Sequence, residues 1–188
     1  MRRLRIASAA LAAVVAIASC TSSGSPDSHT TSPLASGTQL GSGSSSSAAG
    51  DSSALLIDAA NLPITGLQLT SSHVDANSVS GTYSNADHSS VVVDTVALFA
   101  TPAAAQAALP SIEGAAADQF DNAQVRNVSN GKVYRGSSGS AALTVAVFGE
   151  GRAVVTLAIR STATDSVSDA AVDMVLASQD QLIKTNAH

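Results

Sequence analysis

The chain has 188 residues, room for one ordinary domain plus processing segments, and 9 Lys/Arg against 14 Asp/Glu give it a net charge of −5. Arg2, Arg3 and Arg5 precede the first apolar run, so from residue 21 onward 6 Lys/Arg face 14 Asp/Glu, a balance of −8. That shortage of cation argues against nucleic acid as a partner, because its phosphates are neutralised by clustered Lys/Arg, and against a polybasic grip on anionic lipid.

Residues 1–20 read MRRLRIASAALAAVVAIASC. A basic start, a short apolar stretch and small residues at its end form the pattern of a secretory signal peptide. Half of the 14 residues from Ile6 to Ser19 are alanine, whereas a membrane-spanning helix needs about 20 strongly apolar ones. Ile17-Ala18-Ser19-Cys20 resembles the lipobox of bacterial lipoproteins. The resemblance implies that diacylglycerol is thioether-linked to Cys20 and that the chain is cut before it, making residues 1–19 a signal peptide. Small Ala18 and Ser19 suit an extended backbone in a narrow peptidase site, and only a thiol can become the thioether. One acyl chain binds a membrane marginally, each buried methylene contributing about 0.8 kcal/mol, so two or three chains hold nearly permanently. The expected location is the extracytoplasmic face of the cell membrane, with the membrane as partner through lipid on Cys20. The alternative is a plain secretory signal beside a chance cysteine. Cys20 is the sole cysteine, so no disulfide can form within the chain.

Residues 21–50 contain 22 Ser, Thr, Gly or Pro. They have too little apolar surface to offset backbone ordering, and a Gly/Ser chain of that length reaches roughly 30 Å. With Cys20 at its head, the tether is expected over 20–52. Thr30 and Thr31 beside Ser and Pro also fit an O-glycosylated spacer, and a plain spacer is the other reading. Asn127-Val128-Ser129 matches a glycosylation sequon, a match that the bacterial leader makes uninformative.

A single domain is expected over 53–186. Asp51, Ser52 or Ser53 can cap a short helix over 54–60, ended by Pro63. A brief extended segment follows over 64–69, then a strand over 79–83. Residues 90–99 are apolar on both faces, which predicts a central strand covered on both sides. Thr101-Pro102 reads as a helix cap and first-turn proline, opening a helix to Leu109; after Pro110, Ser111 can cap a second one over 112–120. Extended segments follow at 124–129, 132–135, 141–148 and 152–160, with Phe148-Gly-Glu-Gly-Arg152 as a hairpin signal. Val167, Ala171, Met174, Val175, Ser178 and Leu182 then share one face of a final helix. Asp165 and Asp169 at its amino end and Lys184 at its carboxyl end match the helix dipole. This order predicts an α+β fold, a mainly antiparallel β-sheet packed by helices on one face. The leader, tether and element order resemble small actinobacterial cell-envelope lipoproteins, some of which carry a PsbP-like sheet-and-helix domain. The resemblance implies no functional residue other than Cys20.

Chemistry is sparse. His29 lies in the tether and His188 ends the sequence, leaving His73 and His88 in polar stretches near Asp75 and Asp87. No H-x-x-x-H spacing is present, so no metal or cofactor site is expected. Gly136-Ser137-Ser138-Gly139-Ser140 lacks both the G-x-S-x-G elbow and the Gly-Lys-Ser/Thr of a P-loop, and reads as a turn. Glu113 and Glu150 are the only glutamates, with Glu150 placed in a hairpin rather than opposite a second carboxylate. Without tryptophan, and with Tyr83, Tyr134, Phe99, Phe120 and Phe148 as its only aromatics, the chain lacks an evident stacking platform. The alanines of 103–109 and 115–117 allow close packing on a sheet, or alternatively an apolar groove for an acyl chain. The leading expectation is a non-enzymatic envelope protein that binds, senses or scaffolds a protein partner. Carriage of a hydrophobic or glycolipid ligand is the alternative, and a hydrolase using His73 or His88 is a third reading.

Overall fold

A computed structural model of the chain describes residues 52–120, 122–162 and 166–187. The expected signal peptide, Cys20 and nearly all of the tether lie outside the described residues. Strands β1 (Gln68–Val74), β2 (Ser78–Ser84) and β3 (Val91–Leu98) come first, followed by helix α1 (Pro102–Ala117). Strands β4 (Gln124–Val128), β5 (Gly131–Ser138), β6 (Ala141–Glu150) and β7 (Ala153–Thr162) then lead to helix α2 (Asp169–Asn186). All pairings are antiparallel, in one 7-stranded sheet of order β1-β2-β3-β7-β6-β5-β4. Two meanders, β1–β3 and β4–β7, are thus joined through the β3–β7 pair, with α1 as the crossover. The α+β class and the mainly antiparallel sheet are as expected.

Register decides which residues share a face. Val145 opposes Tyr134 and Ala158, whereas Ala146 opposes Val133 and Leu157. On the first of these faces Ala105 and Ala116 of α1 pack with Tyr134, Leu143, Val145, Val147, Val154 and Ala158. On the other, Val172 and Val175 of α2 pack with Tyr83, Val92, Val133, Ala146, Leu157 and Ile159. The two long helices therefore take opposite faces instead of gathering on one. The cause lies in β6 and β7, which are apolar at odd and even positions alike, so each face needs a cover. Each fully buried Val, Leu or Ile contributes about 1.5–3 kcal/mol.

Several local expectations change. Residues 52–61 form two short 3-10 turns (Ser52–Leu55 and Ala59–Asn61) instead of one helix. Between them the Ile57 N–H and carbonyl bond to Asp94 and Tyr83, so they are lost to any α-helical ladder. Strand β1, all of it exposed, extends well beyond the segment expected at 64–69. Helix α1 runs through Pro110, the bond lost to the Gln106 carbonyl falling at an exposed position where water can replace it. Strand β3 is fully buried on one face only. Helix α1 packs on β5, β6 and β7, leaving Val91, Val93 and Thr95 half-buried. On α2 the inward residues are Val172, Val175, Gln179 and Ile183, while Met174, placed in the core by the sequence pattern, is 66% exposed.

Candidate functional site

A hollow of about 650 Å³ lies between α2 and the β4–β5 hairpin. Strand β4 is the last in the sheet, so one side of its backbone has no strand partner. Val128, Phe148, Leu176 and Ala177 supply apolar lining, and Arg126, Asn127, Asn130, Asp173, Asp180 and Lys184 supply polar lining. Alternation along β4 turns Arg126 toward α2. There its Nη2 donates to Asp173 Oδ1 at 2.6 Å and its Nη1 to Asp173 Oδ2 at 3.3 Å. That bond, aided by the nearby charges of Asp173 and Asp169, raises the Arg126 pKa further. Arg135 Nη2 sits 3.1 Å from Asp169 Oδ1, close enough for an ion pair but not aligned as a hydrogen bond. Lys184 bonds Asp180 at 2.6 Å one turn back on α2, and the Asp180 bond raises its pKa. The result is a trough of mixed polarity with charges of both signs on its rim.

A second feature is buried. Asp94 on β3 has no exposure at all. Its Oδ2 accepts from the Ile57 N–H at 3.1 Å, and its Oδ1 has no hydrogen-bond partner among the described residues. Burial outweighs that single bond and pushes the carboxyl up to about 7. The Tyr83 hydroxyl donates to the Ile57 carbonyl at 2.5 Å, and burial first, then Asp94 and Asp58, raises its pKa. Gln179 of α2, also buried, donates to the Leu55 carbonyl at 2.7 Å. Three side chains from β2, β3 and α2 thus hold the strap 55–57 against the sheet. The sequence reading passed over Asp94 and Gln179. The available signal was an acid centred in an otherwise apolar strand and an amide on the inward helix stripe.

The other chemistry-bearing residues do not assemble. His73 Nε2 lies 3.1 Å from Asp75 Oδ1, and Ser78 Oγ donates to Asp75 Oδ2 at 3.3 Å. Here the carboxylate sits between the other two, so the imidazole cannot take the serine proton as a hydrolase requires. His88 stands in a left-handed turn, φ 56°, and forms no side-chain hydrogen bond to serine among the described residues. Glu113 is 9% exposed and accepts from Lys132 at 2.6 Å, while Glu150 accepts from Asn130 at 3.5 Å, so the two glutamates serve different partners. Gly139 and Ser140 form the β5–β6 turn, whereas Gly136, Ser137 and Ser138, expected in the same turn, lie within β5, paired with Leu143, Ala142 and Ala141 of β6. Among the described residues no group of three or more His, Cys, Asp or Glu could hold a metal ion, and no helix is long and apolar enough to cross a membrane.

No protein-family model matches the chain, and no curated protein sequence matches it significantly. A solved structure from Bacteroides thetaiotaomicron VPI-5482 is 11% identical with a TM-score of 0.36, covering 57% of this chain and 40% of that one, too low to carry an argument. The fold is similar to that of the extracellular domain of PknH from Mycobacterium tuberculosis, at 11% identity and a TM-score of 0.54, over 70% of this chain and 94% of that chain.

Proposed function

We propose that the chain is a lipid-anchored, extracytoplasmic binding module without enzymatic activity, whose partner is an envelope protein that lays an extended segment along β4. In this reading residues 1–19 are the signal peptide, lipidated Cys20 heads a tether over 20–52, and 53–186 form the binding domain. The observation that carries the binding role is the coincidence of an open sheet edge with the trough beside it. Unpaired backbone groups on an edge strand give affinity to an added strand, and neighbouring pockets give specificity. The charged rim supplies discrimination and orientation. An extracytoplasmic setting is supported by the leader and by the likeness to a domain that is itself extracellular. Carriage of an apolar ligand under α1 has no observation in its favour, since Ala105 and Ala116 are 1% and 2% exposed and the hollows described lie elsewhere.

Two measurements test the two halves of this reading. A photo-reactive side chain at Asn127 is expected to yield one saturable protein adduct in intact cells, and the same group at Ser71 on β1 none. Asp180→Lys, which reverses a rim charge, should cut the yield about tenfold, equivalent to 1.4 kcal/mol. Equal adducts from both edges, or indifference to Asp180→Lys, would remove the groove from the account. The anchor is tested separately. Cys20→Ala is expected to shift the protein from the carbonate-washed membrane fraction to the soluble one, and full retention of the variant would refute lipid on that thiol.

A further inference from the structure

Nearly every cation in the domain is engaged. Arg126 pairs with Asp169 and Asp173, Arg135 with Asp169, Lys132 with Glu113 and Lys184 with Asp180, and Arg152 also has partners. Arg160, near the end of β7, forms no ion pair with any described residue. Its cross-strand neighbours are Val91 on β3 and Leu143 on β6, so it projects from the face that α1 covers only in part. There it lines a hollow of about 230 Å³ together with His88, Ser89, Ser140, Ser161 and Thr162. This hollow lies at the opposite end of the strands from the α2–β4 trough, because the β4–β5 and β6–β7 turns mark one end and the β2–β3 and β5–β6 turns the other.

The β2–β3 turn holds its part of the hollow in shape. Asn85 Oδ1 accepts from the Ser90 N–H at 3.0 Å, and Asp87 Oδ1 accepts from the Ser89 N–H at 3.1 Å. Asn85 Nδ2 also donates to Ser89 Oγ at 2.8 Å. The Ser89 side chain also acts as a donor toward the Asp87 carboxylate, so the turn closes on itself. A planar guanidinium, an imidazole and the Ser140 hydroxyl line one small volume. From this grouping we propose that the hollow binds a phosphoryl oxyanion, with Arg160 supplying the charge and His88 and Ser140 donating to the remaining oxygens. A carboxylate has only two oxygens and would use fewer of these donors. The fork of an arginine also matches phosphate bidentately. A guanidinium with no ion-pair partner among the described residues, beside an imidazole and a hydroxyl in a domain of strong acidic excess, is what distinguishes this site from an ordinary solvated surface.

The phosphoryl group can belong to a soluble phosphate ester or to a lipid headgroup, and the two sources separate experimentally. The intact chain in neutral detergent is titrated with inorganic phosphate, with acetate, and with micelles doped with phosphatidylglycerol, following the amide and arginine side-chain NMR signals. Saturable binding of phosphate, of the doped micelles or of both is expected, with a Kd of about 1 mM or tighter. Arg160→Gln should weaken it at least about tenfold and Arg160→Lys less, and Arg126→Gln should leave it unchanged. Response to phosphate alone assigns a soluble ligand, and response to the micelles alone a headgroup. Thermal unfolding midpoints measured without phosphate show whether each variant is folded. Should Arg160→Gln fold but bind the phosphoryl probes as well as the parent chain, or should acetate bind as tightly as phosphate, or should no probe saturate, the assignment fails.

Discussion

Raising the pH from about 4 to about 7 is expected to destabilise the domain, and Asp94→Asn is expected to remove that trend. The sign follows from proton counting. Folded Asp94 holds its proton up to about 7, against 3.8 for the free carboxyl, so between those values the native state binds one proton more than the unfolded chain. Stability then falls as pH rises, by at most about 1.4 kcal/mol per pH unit. The contribution is fully present below pH 4, is lost progressively up to 7, and does not change further above it. Its full span is on the order of 4 kcal/mol, a large share of a typical domain's 5–15. Asparagine keeps an oxygen for the Ile57 N–H and carries no titratable proton. Urea unfolding of both proteins at pH 4.5, 6 and 7.5 should therefore show the difference between them moving steadily in favour of the asparagine. Subtracting the two curves cancels every other titrating group, including Asp87, which its bonds to Ser89 lower instead. Parallel curves would mean that water reaches the Asp94 carboxyl and that burial does not govern it.

Asp94 also shows where sequence patterning stops being informative. Strands β3, β6 and β7 were legible because Val, Ile and Leu recur in short runs, and β2 because Val79 and Tyr83 alternate with polar residues. The α1 cap was legible because Thr101 accepts from the Ala104 N–H, directly before Pro102. Strand β1 was hidden because QLTSSHV lies at an exposed edge, where no buried face imposes alternation. The stripe of α2 was misjudged because Gln179 occupies an inward position and answers to the Leu55 carbonyl, a contact across 124 residues that no helical period encodes. The same limit applied to the candidate sites. Arg126 and Asp173 stand 47 residues apart, and Arg160 and His88 meet only through the strand order. No motif spacing could unite them.

Gly131→Ala is expected to damage the α2–β4 trough and to cost more stability than any rim substitution. Gly131 opens β5 opposite Phe148. A Cβ there would overlap the Val147 carbonyl oxygen and come within 2.6 Å of Phe148 Cα. Both are backbone atoms of β6, a strand paired on each side and buried along nearly its whole length, so they cannot give way as a flexible side chain would. The hairpin must move instead, carrying Val128 and Asn130 away from Phe148 and loosening Arg126 from Asp173. Overpacking of this kind costs about 1–3 kcal/mol, occasionally more. Gly139→Ala is the useful contrast. Its Cβ would meet nothing within 4 Å, and the strain there comes only from the positive φ of 61°, worth about 1–2 kcal/mol. If close approach to β6 is the reason for glycine at 131, its alanine variant should lower the unfolding free energy and also weaken amide protection across β4. The Gly139 variant should leave β4 protection intact. Equal loss of protection in both variants would show that the hairpin depends on general stability, and would detach the shape of the trough from this one contact.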